Sequence, residues 1–170
     1  DADSTVSYSI ASGLDANSFE IINDKLTLTD LPDFESGKNL YEVVVTANDG
    51  VNSTNQKVTY TIIDVNDNAP VFTSNAAVSI DENETDVTSL TTTDADADST
   101  VSYSITGGAD ATSFTVSTTG VLALIDEADY ESPSDANADN IYEVTVTASD
   151  GTNTTDQTIT VSVNDINDNA

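Results

Sequence analysis

Apolar side chains recur at every second position through much of this 170-residue chain. Val101, Tyr103 and Ile105 alternate with Ser102 and Ser104, and Tyr142, Val144, Val146 and Ala148 alternate with polar partners. A period of two puts successive side chains on opposite faces of a strand, one toward a core and one toward water. No stripe of helical spacing competes with it. The runs return about every 8–12 residues with Asp, Asn, Gly and Pro between them, the rhythm of an antiparallel sandwich. Strands are predicted near 76–81, 87–93, 100–105, 113–117, 121–125, 141–149 and 156–163, and earlier near 5–10, 18–22, 25–29, 40–48 and 56–63.

The two sets of strands are copies of one unit. Residues 1–10 read DADSTVSYSI, and so do residues 96–105. Further landmarks follow in the same order: SFEI at 18–21 and SFTV at 113–116, DFES at 33–36 and DYES at 129–132, YEVVVTANDG at 41–50 and YEVTVTASDG at 142–151, DVNDNA at 64–69 and DINDNA at 165–170. The offset grows from 95 to 101, and the extra residues fall in the polar stretch PSDANADNI at 133–141, which reads as a surface loop. Two domains are expected, a partial repeat at 1–68 and a complete one at 69–170. The segment that supplies the first two strands of copy two, within residues 70–95, has no counterpart in copy one, and a sandwich without it leaves an edge unpaired. The expectation is that the polypeptide continues beyond Asp1 and Ala170, or that a neighbouring copy donates the strands.

Composition narrows the chemistry. There are 31 acidic residues against Lys25, Lys38 and Lys57, no arginine, and a formal charge of −28. Residues 69–170 contain no cationic side chain at all, so nucleic acid and anionic membrane surfaces are poor partners. The absence of Cys, His, Met and Trp excludes disulfides, thiolate or imidazole metal sites, and Ser-His-Asp or Cys-His catalysis. No stretch approaches the roughly 20 apolar residues that span a bilayer.

The carboxylates cluster where strands are predicted to end: Asp33 and Glu35, Asp49, Asp64 and Asp67, Asp94, Asp96 and Asp98, and Asp150. Strand ends meet at the pole of a sandwich, and consecutive repeats stacked pole to pole would gather these groups. Two carboxylates about 4 Å apart repel by roughly 4 kcal/mol at an effective dielectric near 20, so the cluster calls for a counter-ion. Oxygen-only ligands, enough for about six or more per ion, favour Ca²⁺ over Zn²⁺ or Cu²⁺.

The order DxD, D-[FY]-E, A-x-DG and DxNDNA, present twice, resembles the cadherin repeat, and over most of the chain it is similar to the bacterial cadherin-like repeats of very large surface adhesins. The resemblance implies an all-β fold of tandem, Ig-like, Greek-key sandwiches, the first keeping only strands C to G. It also implies calcium between successive repeats. By motif, the upper repeat supplies Asp33 and Glu35, the linker Asn66, Asp67, Asn68 and the Val65 carbonyl, and the lower repeat Asp94, Asp96 and Asp150, with Asp98 replacing an oxygen of a longer loop. Asp1, Asp3 and Asp49 match half of a site facing a preceding repeat. Glu82, Asp129, Glu131 and Asp168 match half of a site facing a following one.

The function expected is a calcium-rigidified extracellular spacer of a bacterial surface adhesin, with neighbouring repeats as its partners. The rival is that the repeats themselves bind, homophilically or to a surface glycan, or form a filament by strand complementation. Paired acids also serve glycosidases, but no sugar-stacking Trp or cleft accompanies them, and no enzyme is expected. Tyr8, Tyr41, Tyr60, Tyr103 and Tyr142 are read as core residues. Three N-glycosylation motifs occur, NST at 52–54, NET at 83–85 and NTT at 153–155, and the bacterial resemblance argues against their use.

Overall fold

The computed structural model describes residues 5–97 and 99–167. The chain divides into two compact units, Asp1–Val65 and Asn66–Ala170. Among the described residues no helix is long and apolar enough to cross a membrane, and the helical segments are two single 3₁₀ turns, at Ala16–Ser18 and Ala111–Ser113.

In the first unit β1 (Ser7–Ser12), β4 (Leu40–Asn48) and β5 (Ser53–Thr61) form an antiparallel sheet in the order β1-β4-β5. Facing strands β2 (Phe19–Ile22) and β3 (Lys25–Leu28) make a hairpin. Its two-residue turn puts Asn23 and Asp24 at φ 49° and 62°, a left-handed backbone that Asn and Asp tolerate and that matches the twist of the strands. Phe19 anchors a small core with Val43 and Ile62, its ring edge-on to Tyr41 at 6.2 Å and Tyr60 at 6.5 Å.

The second unit is a full sandwich. Its larger sheet holds β10 (Ser102–Gly107), β13 (Ile141–Ser149), β14 (Thr154–Asn164) and β7 (Ala77–Asp81), in that order. All neighbours are antiparallel except β7, which runs parallel to β14. The smaller sheet is β11 (Phe114–Val116), β12 (Val121–Leu124) and β8 (Asp86–Ser89). The pair β6 (Val71–Phe72) and β9 (Thr92–Thr93) adds a short ladder. The chain thus crosses between sheets from β7 to β8, from β10 to β11 and from β12 to β13, which is the Greek-key path. Inward positions of β13 and β14, Tyr142, Val144, Val146, Ile159 and Val161, are sealed against Leu122 and Leu124 of the other sheet.

The single run expected over 87–93 is two strands. Leu90 turns into the core and its N–H bonds the Gly120 carbonyl, so the chain leaves the β12 ladder there and resumes beside β6. Two tyrosines also differ from expectation: Tyr8 and Tyr60 are 45% and 47% exposed rather than core residues. In the second unit the corresponding positions are Tyr103, which packs on Phe72 and bonds Thr92, and the fully buried Val161. Among the described residues of the first unit no elements equivalent to β6 through β9 cover that face, so the same strand pattern leaves its side chains half in water.

One loop is built identically in both units. After β1 and β10 the chain presses a glycine against the next sheet strand. Gly13 and Gly108 have φ of 131° and 107°, and a Cβ on either would lie 2.7 Å and 2.4 Å from the carbonyls of Glu42 and Glu143. Only glycine fits there. The aspartate two residues on then bonds that glutamate through its main chain and its carboxylate: Asp15 N–H to Glu42 O and Glu42 N–H to Asp15 Oδ2, and likewise Asp110 with Glu143.

Candidate metal site

Two segments of the second unit bring three carboxylates together. Asp94 and Asp96 follow β9 in a bent loop, and Asp150 sits in the turn between β13 and β14, where Gly151 takes φ 97°. One oxygen from each of Asp94, Asp96 and Asp150 lies within 4.8 Å of the others. Asp96 is 5% exposed, and both its oxygens are oriented by the linker: Oδ2 accepts the Asn68 N–H at 2.9 Å and Oδ1 accepts the Asn68 side-chain amide at 2.9 Å. Asp94 Oδ1 accepts the Asp96 N–H at 3.1 Å, and Asp150 Oδ1 accepts the N–H groups of Thr152 and Asn153, both at 2.7 Å. The Asn153 N–H above all holds the Asp150 carboxyl below its ordinary value, with burial opposing and the Thr152 N–H reinforcing.

Asp96 has both oxygens engaged by Asn68, whereas on Asp94 and Asp150 the bonds named fall on Oδ1 alone. Asp94 Oδ2 and Asp150 Oδ2 are buried without a hydrogen-bond partner. A buried acceptor of this kind costs about 1–3 kcal/mol, and more when charged. No Lys or Arg exists in residues 69–170 to offset it. The donor set is oxygen alone, in a geometry held from outside by backbone N–H groups, which fits a hard divalent cation such as Ca²⁺ and not a transition metal. An ion there would take Asp94, Asp96 and Asp150 as ligands and supply the missing positive charge.

A second group gathers Glu82, Asp129 and Glu131. Glu82, 2% exposed, has both oxygens engaged, as Asp96 has: Oε2 accepts the Tyr130 N–H at 2.9 Å and Oε1 the Ile166 N–H at 2.8 Å. Asp129 caps its own turn through the Ser132 N–H at 2.9 Å. In the first unit Asp49 repeats the Asp150 turn, accepting from Val51 and Asn52, and the Asn52 N–H is the chief cause of its lowered pKa. Asp33 accepts the N–H groups of Glu35 and Ser36, and both acidic residues of that motif are exposed. Asp67 accepts from the Asn68 side chain at 2.9 Å and is exposed. Asp1, Asp3, Asp98 and Asp168 lie outside the described residues, and Val65 ends the first unit.

Sequence reading missed Asn153. Its side-chain amide donates to Asn66 Oδ1 at 2.8 Å and to the Asn68 carbonyl at 2.9 Å, tying the linker segment of this unit to the β13–β14 turn. The signal was present, since Asn52 holds the same place three residues after Asp49, but both asparagines read as glycosylation motifs. It missed as well the buried Asp110 and Asp135, whose repeat partner Asp15 in GLD matches Asp110 in GAD.

The fold has relatives among known proteins. The family described as cadherin domain matches residues 76–164. Protocadherin Fat 4 of Mus musculus is 37% identical over 181 residues, covering 98% of this chain, and Cadherin-23 of Rattus norvegicus is 36% identical over 187 residues with the same coverage. The chain spans only 3% and 5% of those two proteins. Among solved structures, the protocadherin gammaB7 EC3-6 cis-dimer superposes with a TM-score of 0.74 at 28% identity, over 97% of this chain and 42% of that one. Human protocadherin-24 EC1-2 gives 0.74 at 24% identity over 97% of this chain and 84% of that one, a likeness of fold alone. The chain belongs to the cadherin family, whose domains are extracellular adhesion modules that occur in tandem, are not enzymes and typically bind calcium.

Proposed function

We propose that this chain is a calcium-rigidified spacer segment of a bacterial surface adhesin. The observation that carries the reading is the pair of orphaned, buried oxygens on Asp94 and Asp150 beside Asp96. Groups so placed are strained without a cation and relieved by one. In the family pattern the same ion is completed by Asp33 and Glu35 of the preceding repeat and by Asn66, Asp67, Asn68 and the Val65 carbonyl, with Asp98 beside them. Glu82, Asp129, Glu131 and Asp168 would then meet a following repeat, and Asp1, Asp3 and Asp49 a preceding one. A bacterial array is supported by the ten identical residues at 1–10 and 96–105, as expected of an extender that needs many interchangeable units. The partners are then neighbouring repeats, and adhesion belongs to a ligand-binding region elsewhere.

Each residue has a plain part. Asn68 and Asn153 orient the cage, the backbone N–H groups of Thr152 and Asn153 hold Asp150, and bound Ca²⁺ supplies the charge that lets carboxylates crowd. Calcium titration by isothermal calorimetry tests this. Wild type should bind in the 10⁻⁴–10⁻³ M range, about that of extracellular modules. Asp150→Asn should weaken binding at least about tenfold, a difference near 1.4 kcal/mol. Equal binding by both proteins would defeat the assignment.

A further inference from the structure

We propose that the outer face of the smaller sheet in the second unit docks an extended, basic segment of another protein. Its central strand β12 runs from Val121 to Leu124, and Ile125 continues the alternation. Leu122 and Leu124 belong to the core, whereas Val121 and Ile125 are 49% and 54% exposed, with Ala123 between them. A strand that is apolar on both faces is the pattern of one covered on both sides. The first repeat lacks it. Pairing of Phe19 with Leu28 and of Phe114 with Leu124 aligns β3 with β12, and the first unit then holds Lys25, Thr27 and Thr29 where the second holds Val121, Ala123 and Ile125. The two copies agree at ten consecutive positions elsewhere and differ at all three of these, so the stripe belongs to the second unit and not to the fold.

The surroundings select the occupant. Asp86 of β8 pairs across from Ala123, Asp126 and Glu127 follow the stripe, and all three acids are exposed. Hollows of about 170 Å³ and about 110 Å³ open beside its two ends, the first bounded by Val121, Asp86 and Ser89, the second by Ile125, Asp126 and Ser134. Each joins an apolar side chain to a carboxylate. Residues 69–170 contain no Lys or Arg, so the complementary charge has to come from the partner. A second copy is a poor source, because chains of charge −28 repel one another. The fitting chemistry is a strand-like segment with Val or Ile and Lys or Arg at every second position, which puts both kinds on one face.

The probe is the fluorescein-labelled peptide Lys-Ser-Val-Ser-Val-Ser-Lys, titrated by anisotropy with residues 1–170 at about 0.15 M salt, where exposed charges act over roughly 8 Å. Wild type should bind it, and the same peptide with serine for both valines should bind at least about fivefold more weakly. Val121→Thr/Ile125→Thr keeps the net charge and installs the residue type that the first unit carries at Thr27 and Thr29, so it should melt as wild type does and lose at least about fivefold in affinity. Asp86→Asn/Asp126→Asn should also weaken binding. Glu20→Gln/Asp24→Asn removes the same charge from exposed positions of the first unit and should leave binding unchanged. Equal affinity for wild type and the threonine variant, an equal loss in both charge-removing variants, or no saturable binding would each overturn the proposal. So would self-association of wild type in ultracentrifugation that the threonine variant abolishes, which would give the stripe to a second copy. All of these results leave the calcium reading untouched, since Asp94, Asp96 and Asp150 are unaltered throughout.

Discussion

At the scale of single residues, the two units form a natural comparison, because equivalent side chains occur in covered and uncovered settings. Leu122 in β12 has no exposure, whereas Leu26, its counterpart in β3, is only partly buried. Val161 is sealed where Tyr60 is half exposed, and the larger aromatic with its hydroxyl suits a position that reaches water. Leu122→Ala should therefore destabilise the second unit by about 2–5 kcal/mol, the range for a leucine removed from a closed core. Leu26→Ala should cost clearly less, because its site is already partly wet. Urea unfolding of both variants checks the order, and equal losses would show that the two faces are covered alike.

At the scale of elements, the six extra residues of the second repeat do identifiable work. In the first unit the Asp15 carboxylate is met by the Lys38 ammonium at 2.6 Å, which lowers the Asp15 pKa and raises that of Lys38. In the second unit the equivalent Asp110 takes the Ala136 N–H at 2.6 Å instead, and the inserted loop carries its own lock. Asp135 is buried there and accepts the N–H groups of Asp139 and Asn140, while Ser134 bonds the Tyr142 hydroxyl at 2.9 Å. The insertion thus replaces a cation with main-chain donors. Burial by itself raises the Asp135 pKa, but the Asp139 and Asn140 N–H groups outweigh it and the carboxyl titrates below its ordinary value. A carboxyl depressed in the folded state stabilises it above the unfolded pKa, about 4, and loses that contribution as pH falls through the folded value. Amide-exchange protection of Asp139 and Asn140 should accordingly hold from pH 7 to about 5 and decline below about 4. Protection lost already near neutrality would remove Asp135 from this role.

At the scale of the whole molecule, a charge of −28 with three cationic side chains leaves the folded chain self-repelling. Both of the ion pairs found among the described residues, Lys38 with Asp15 and Lys57 with Glu42, lie in the first unit. The second unit depends on backbone donors and, on the calcium reading, on bound ions. Calcium at a hundredfold excess over Kd should then add about 2.7 kcal/mol of stability by mass action. Differential scanning calorimetry in millimolar Ca²⁺ and in excess chelator would register it as a higher melting temperature, and coincident melts would refute it. Asp67→Ala should leave both sandwiches folded, since Asp67 is exposed and outside either core. Small-angle scattering in Ca²⁺ should show a more flexible pair for this variant than for wild type, and identical profiles would take the linker out of the rigidifying role.

Strand identity, the tandem repeat and the oxygen-only chemistry are properties of local sequence. Alternation with a period of two marks a strand wherever one face is buried, and aligning two copies exposes motifs that one copy would hide. Hence DxD, D-[FY]-E, A-x-DG and DxNDNA were legible before any coordinates. Tertiary structure decided which acceptors end up without a donor. The orphaned oxygens of Asp94 and Asp150, the saturated carboxylate of Glu82 and the clamp formed by Asn153 depend on hydrogen bonds between residues up to 87 positions apart. Exposure was decided there too. Tyr8 and Tyr103 lie in identical ten-residue segments, yet one is half in water and the other rests on Phe72, because burial is fixed by what packs across the sheet and not by the strand itself.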